Sequence, residues 1–350
     1  MATMQAARLY GREDLRVEAV KVPEVREGEV LLAVRASAVC GTDIRMFRNG
    51  HKNASPEHPL VLGHEIAGVV EKVGPGVTGY REGMRVAVAP NMGCGVCDQC
   101  VSGNTQLCAD YKAFGINIDG GFAEHLLVPA AAVRQGNLSE MPPDVDFAAA
   151  AVIEPLSCVY NAFQRCAIGP GDTVLVMGSG PIGLMHARLA KMGGAAKVFM
   201  NDINAERLAW CAGLEKAVIP IESPVLAERI KSETRGGGAD VVITANPAPE
   251  SQVAALELAA LNGRVMFFGG LPEGKNKVPL DTNLVHYKQI TISGTTRQSL
   301  AQYRKTLALV GAGLVSLEGI ISRTWPVEKT REALDEVMKG RGLKQVVTFA

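Results

Sequence analysis

Four cysteines, Cys94, Cys97, Cys100 and Cys108, stand in a C-x2-C-x2-C-x7-C run. Thiolates this close can complete a tetrahedron around one zinc ion, and Gly93, Gly95 and Gly103 let the chain wrap tightly about it. All four ligands are protein atoms, which leaves no position open to a substrate, so the site reads as structural. The same ligand type would also suit an iron–sulfur cluster, whereas a disulfide pair would need an oxidising compartment. A second set is dispersed: Cys40 in Cys40-Gly41-Thr42-Asp43, the pair His64-Glu65 after Gly63, and Glu154 in Ile153-Glu154-Pro155-Leu156. Taken singly, each has a plain explanation. Cys40 could be a small core residue, His64 a satisfied buried imidazole, and Glu154 an acid favoured by a helix N-terminus.

A third signature sits in a specific context. An apolar run over 173–177 leads straight into Gly178-Ser179-Gly180-Pro181-Ile182-Gly183, and a helical pattern follows at once. The first glycine permits a tight turn, the second lets the backbone approach a pyrophosphate, and the third lets helix and strand pack closely. The free N–H groups of the helix start then face the phosphates. Asp202 ends the next apolar run, where a carboxylate accepts hydrogen bonds from the adenosine ribose and repels a 2′-phosphate, so the pattern points to NAD. Arg207 belongs to the residues around the coenzyme, but nothing in its position in the sequence sets it against such a phosphate.

These residues must be carried by a particular scaffold. The first 143 residues read as short alternating β segments, among them 29–36, 66–73 and 84–89, broken by Gly and Pro into a mainly-β, barrel-like unit. After Pro142-Pro143 the texture changes to β-like runs at 173–177, 197–201, 239–245 and 264–268. Between them lie helical stretches at 184–191, 205–211 and 251–261. That alternation predicts an α/β fold with a doubly wound parallel sheet. From about residue 291 the rhythm ends, and a helical stretch at 300–310 leads to a last strand at 346–349.

Composition narrows the function. A chain of 350 residues with 47% hydrophobic content can build two cores. Its 36 basic and 36 acidic side chains cancel, so it lacks the positive field that nucleic acid or an anionic membrane would require. No run approaches a membrane span, no export signal is evident, and the eight cysteines are expected to be reduced or metal-bound in the cytoplasm.

Together these motifs resemble the zinc-containing medium-chain alcohol dehydrogenase superfamily. Gly63-His64-Glu65-x2-Gly68-x5-Gly74-x2-Val77 is similar to that family's zinc signature, and the cysteine lobe and glycine turn fall in the expected order. Within it, Glu154-Pro155-Leu156 and Gly121-Phe122-Ala123-Glu124 resemble the polyol (sorbitol-type) and threonine dehydrogenase branch. The resemblance implies a Rossmann coenzyme domain at 155–292 inserted in a GroES-like catalytic domain formed by 1–154, with a zinc lobe at about 91–110, and 293–350. It implies a catalytic zinc held by Cys40 and His64 with Glu65 or Glu154, and Thr42 as first acceptor of the substrate hydroxyl proton. It also implies a small alcohol or polyol as substrate and a homo-oligomer, tetramer or dimer.

One position departs from the pattern. Where relatives often carry a histidine that passes the proton to solvent, this chain has Arg45, which stays protonated and is a poor base. Charge counting adds a constraint: Cys40 and one carboxylate already neutralise zinc, so Glu65 and Glu154 are not expected to bind it together with an ionised alcohol. Oxidation of a polyol is the leading expectation. Threonine, vicinal-diol or phosphorylated-polyol oxidation and a non-catalytic NAD-binding role are the alternatives.

Overall fold

Strand Val30–Ala38 carries Val30, Leu32, Val34, Ala36 and Ala38 in alternation, and all five are buried. A strand with one fully apolar face must lie on a core. It sits inside a seven-stranded sheet, antiparallel to Glu65–Val73 and to Lys344–Thr348, with His125–Val128 also paired to it. Arg85–Val88 and Leu138–Glu140 extend the sheet beyond Glu65–Val73, and Ile321–Pro326 extends it beyond Lys344–Thr348. Helix Gly41–Asn49 leaves the end of Val30–Ala38 and buries Ile44, Met46 and Phe47. This is the first of two compact units in the computed structural model, which describes residues 2–350. It comprises the residues up to Ser157, Gln298–Gly313 and Gly319–Ala350.

The second unit comprises Cys158–Arg297 and Leu314–Glu318. Its six strands are all parallel, in the order Val218–Glu222, Lys197–Asp202, Thr173–Met177, Ala239–Thr244, Ala259–Phe267 and Thr291–Gly294. The first three strands in sequence run outward to one side and the last three to the other, so the order reverses at Thr173–Met177. Buried Leu175, Phe199, Val242 and Val265 form its core.

The sheet reaches further than the βαβ rhythm suggested. Thr291–Gly294 continues it as an edge strand, with no fully buried residue to mark it as apolar, and Val218–Glu222 closes the other edge with Val218 and Ile221 alone buried. Edge strands lack the continuous apolar run by which central strands are read. Among the described residues no helix is long and apolar enough to cross a membrane.

The glycine turn follows the central strand. Gly178 has φ +123°, and a Cβ on Gly183 would stand 1.9 Å from the Gly178 carbonyl oxygen, whereas one on Gly180 would meet nothing within 4 Å. Gly183→Ala is therefore expected to destabilise the protein by about 1–3 kcal/mol, and Gly180→Ala to change stability by less than about 0.5 kcal/mol. Urea unfolding of both variants checks the contrast.

Candidate functional site

Cys40 is the N-cap of helix Gly41–Asn49, and its N–H donates to Asp43 Oδ2 at 2.9 Å. This reciprocal closure, with the acid three residues on, fixes the cap. The other Asp43 oxygen accepts from the Gly63 N–H at 3.3 Å and lies 3.5 Å from His64 Nδ1. One fully buried carboxylate thus holds together two segments that bear candidate ligands, and turning His64 Nδ1 inward leaves Nε2 for a metal. Ligand atoms of Cys40, His64 and Glu65 lie within 4.8 Å of one another. Burial opposes ionisation of Cys40, but the neighbouring His64 brings its thiol down to about 7. Burial likewise disfavours charge on His64, yet Cys40 and Asp43 raise it well above its ordinary value. A thiolate and a neutral imidazole are donors that zinc accepts, and binding the metal would displace the proton that holds His64 charged.

Glu65 is completely buried, and Lys344 Nζ reaches its two oxygens at 2.5 and 2.6 Å while also donating to the Val39 carbonyl at 3.0 Å. Burial pushes the Glu65 carboxyl well up, and Lys344 opposes that rise. On Lys344 itself burial favours the neutral amine, but Glu65 outweighs it. Whichever partner holds the shared proton, the pair carries no net charge. This alters the charge count made from sequence, which omitted Lys344: one of the two carboxylates near the metal is already compensated. Glu154, on the first turn of helix Ile153–Cys166, is buried but stands outside the set in mutual reach. Tyr303, on helix Leu300–Gly311, is wholly buried with no hydrogen-bond partner for its hydroxyl. Burial first, then Glu154 and Glu65, hold it well above its ordinary value.

Sequence reading named Cys40, Thr42, His64, Glu65 and Glu154. It quoted Asp43 without a role and missed Lys344 and Tyr303. The capping-box spacing from Cys40 to Asp43 was a usable signal. Lys344 had none, because its partner is 279 positions away.

In the lobe, Cys94 Sγ and Cys100 Sγ are 4.0 Å apart and Cys97 Sγ and Cys108 Sγ 3.7 Å. Zinc–sulfur bonds of about 2.3 Å in a tetrahedron place sulfurs about 3.8 Å apart. The spacing fits a metal and is far too long for disulfides. Gly93 leaves room for this, since a Cβ there would stand 2.4 Å from Cys100 Sγ. N–H groups of Val96 and Cys97 bring the Cys94 thiol down to about 7, whereas burial raises Cys100 to about 12.

At the glycine turn, Pro181 opens helix Pro181–Met192 with Gly180 as N-cap, and Ile182 and Gly183 complete its first turn. Asp202 Oδ2 accepts from the Ser179 N–H at 2.6 Å and from the Ser179 hydroxyl at 2.9 Å, and Oδ1 from the Asn204 N–H at 2.9 Å. Arg207 Nη2 reaches both oxygens, at 3.0 and 2.9 Å. Burial opposes it, but these donors keep the Asp202 carboxyl below its ordinary value. Arg207, five residues on, thus folds back over Asp202, an arrangement its position in the sequence did not indicate.

Comparison with known proteins bears on both units. Residues 26–137 match the family model of the alcohol dehydrogenase GroES-like domain, and residues 181–312 that of the zinc-binding dehydrogenase. Sorbitol dehydrogenase of Bacillus subtilis (strain 168) is 30% identical, over 96% of this chain and 94% of its own. L-threonine 3-dehydrogenase of Pyrococcus abyssi is 34% identical, over 99% and 97%. Two solved structures cover 100% of both chains. One is a protein from Sinorhizobium meliloti 1021 bound to NADP (TM-score 0.90, 28% identity), and the other an alcohol dehydrogenase from Escherichia coli CFT073 complexed with NADH (TM-score 0.89, 27% identity).

Removing the ammonium should expose what the buried pair does. Lys344→Met is expected to cost about 3–5 kcal/mol in urea unfolding, because it strands the Glu65 carboxylate, and adding Glu65→Leu should restore most of that loss. No recovery in the double variant would show that Lys344 acts by packing alone.

Proposed function

Because this chain belongs to the zinc-dependent medium-chain alcohol dehydrogenase superfamily, in its polyol and threonine branch, we propose that it oxidises a secondary hydroxyl of a polyol or sugar alcohol with NAD as hydride acceptor. The observation that carries the reading is the meeting of Cys40, His64 and Glu65 beside Thr42. When bound, zinc supplies Lewis acidity toward the substrate oxygen and NAD takes the hydride. Cys40 and His64 would hold the catalytic zinc, with Glu65 or Glu154 completing the set, and Cys94, Cys97, Cys100 and Cys108 the structural one. Thr42 Oγ1 both accepts and donates, so it can take the hydroxyl proton and pass it on. Arg45 cannot act as the next base, so Thr42 would pass the proton on without it, to water.

Gly178, Gly180, Pro181, Ile182 and Gly183 would hold the pyrophosphate of NAD, and Asp202 the ribose. With Arg207 over Asp202 the site can hold the adenosine end through either residue, and the carboxylate favours NAD over NADP. The unit containing 158–297 serves as the coenzyme domain and the other as the catalytic domain. A second reading, oxidation of L-threonine, is favoured by the 34% identity to a threonine dehydrogenase. No disulfide joins any of the eight cysteines, which suits the cytoplasm. Assembly with copies of itself is supported by the edge strand Thr291–Gly294, beside which Leu261 and Tyr287 are exposed.

Purified protein supplied with NAD and a panel of polyols, secondary alcohols and L-threonine should give NADH with one polyol class. Chelation should abolish the signal, and NADP should be at least about 10-fold poorer. Threonine as sole substrate would establish the second reading. Thr42→Val is expected to lower kcat/KM by about 100-fold or more with zinc content intact. Sedimentation should find a dimer or tetramer, and Ile292→Lys should weaken it.

A further inference from the structure

Thr42 and Arg45 lie one turn apart on helix Gly41–Asn49, and Arg45 Nη2 is 3.4 Å from Thr42 Oγ1. The contact is long, and it leaves the other guanidinium N–H groups uncommitted. Arg45 is exposed. Some arginines of this chain have carboxylate partners, as in Arg8 with Glu18, Arg207 with Asp202 and Arg264 with Asp172, and others, such as Arg48, have none among the described residues. Among the described residues Arg45 has no ion pair. The acid on its own helix, Asp43, is fully buried and taken up by Cys40, Gly63 and His64.

The chain that follows is cationic too. His51 lies just beyond the helix, and after burial the charges that lower its pKa are Lys52 and Arg45, with no carboxylate among them. A guanidinium with no ion pair, beside the group proposed to meet the reacting hydroxyl, can receive an oxyanion. A planar fork of N–H donors matches phosphate or carboxylate oxygens two at a time. A neutral polyol would leave that fork facing water.

We propose that the substrate is an alcohol bearing an oxyanion, a polyol ending in a phosphate or a carboxylate, and that Arg45 selects it. This rests on the dehydrogenase reading above and narrows its substrate class. Arg45 stays protonated and cannot itself serve as a base. The proton route then depends on Thr42 without help from the side chain one turn on.

The test compares the zinc-loaded enzyme with D-glucitol, D-glucitol 6-phosphate and D-gluconate as matched neutral, phosphorylated and carboxylated substrates. The charged member is expected to have a kcat/KM about 10- to 100-fold above the neutral one, the range of charge-assisted hydrogen bonds. Arg45→Met should collapse that ratio toward unity, chiefly through KM, Arg45→Lys should keep part of it, and Arg48→Met, on the same helix, should leave it intact. Calorimetric titration of each variant with the preferred anion, without NAD, should show the same loss of affinity. Preference for the phosphate or for the carboxylate identifies which oxyanion is read. Equal turnover of neutral and charged members, an Arg45→Met effect of the same size on both, or a raised KM for NAD alone would overturn the proposal while leaving the dehydrogenase reading in place. Absence of NADH from every alcohol would overturn that reading itself, even if the anion still bound through Arg45.

Discussion

A carboxylate and an ammonium from opposite ends of the chain meet in a place water cannot reach. Glu65 begins a strand in the first third of the sequence and Lys344 the last strand, and strand Val30–Ala38 pairs with both. Neither charge could be buried alone without a cost of several kcal/mol, so each makes the position of the other necessary. The pair anchors the C-terminal segment beneath the candidate metal ligands and removes one negative charge from their surroundings. Asp43 does the complementary work on the other side, capping the helix that carries Thr42 while turning His64. Two buried acids with fixed partners thus aim Cys40 and His64 at the same point.

The nucleotide turn solves a similar problem with backbone geometry. Gly183 permits the helix to sit against the carbonyl of Gly178, and Ser179 ties the turn to Asp202 at the end of the neighbouring strand. The acid that would meet ribose is therefore part of the loop's own support. Arg207 covers it, so in the proposed coenzyme site the carboxylate and the guanidinium would share the adenosine end.

Charge placement separates the two arginines of interest. Arg207 spends its charge on Asp202, whereas Arg45 keeps its charge unspent beside Thr42. The first shapes the proposed cofactor site from within. The second is exposed beside Thr42.

Local patterns in the sequence determined a good deal. The cysteine spacing defined a lobe that closes within one short loop, and the glycine turn with Asp202 defined a strand, a turn and a helix start, because each depends on neighbours a few residues away. The alternation of apolar residues marked the central strands. The edge strands Val218–Glu222 and Thr291–Gly294 escaped notice because half their surface is outside any core. Tertiary structure alone decided what lies behind the ligands. That Lys344 pairs with Glu65, that Asp43 orients His64 and that Tyr303 lies near two carboxylates are facts of packing between distant segments, and no spacing encodes them. The sequence could say that Arg45 replaces a base. Only the fold could say that, among the described residues, no acid pairs with it, since whether a charge is paired depends on every element that comes near.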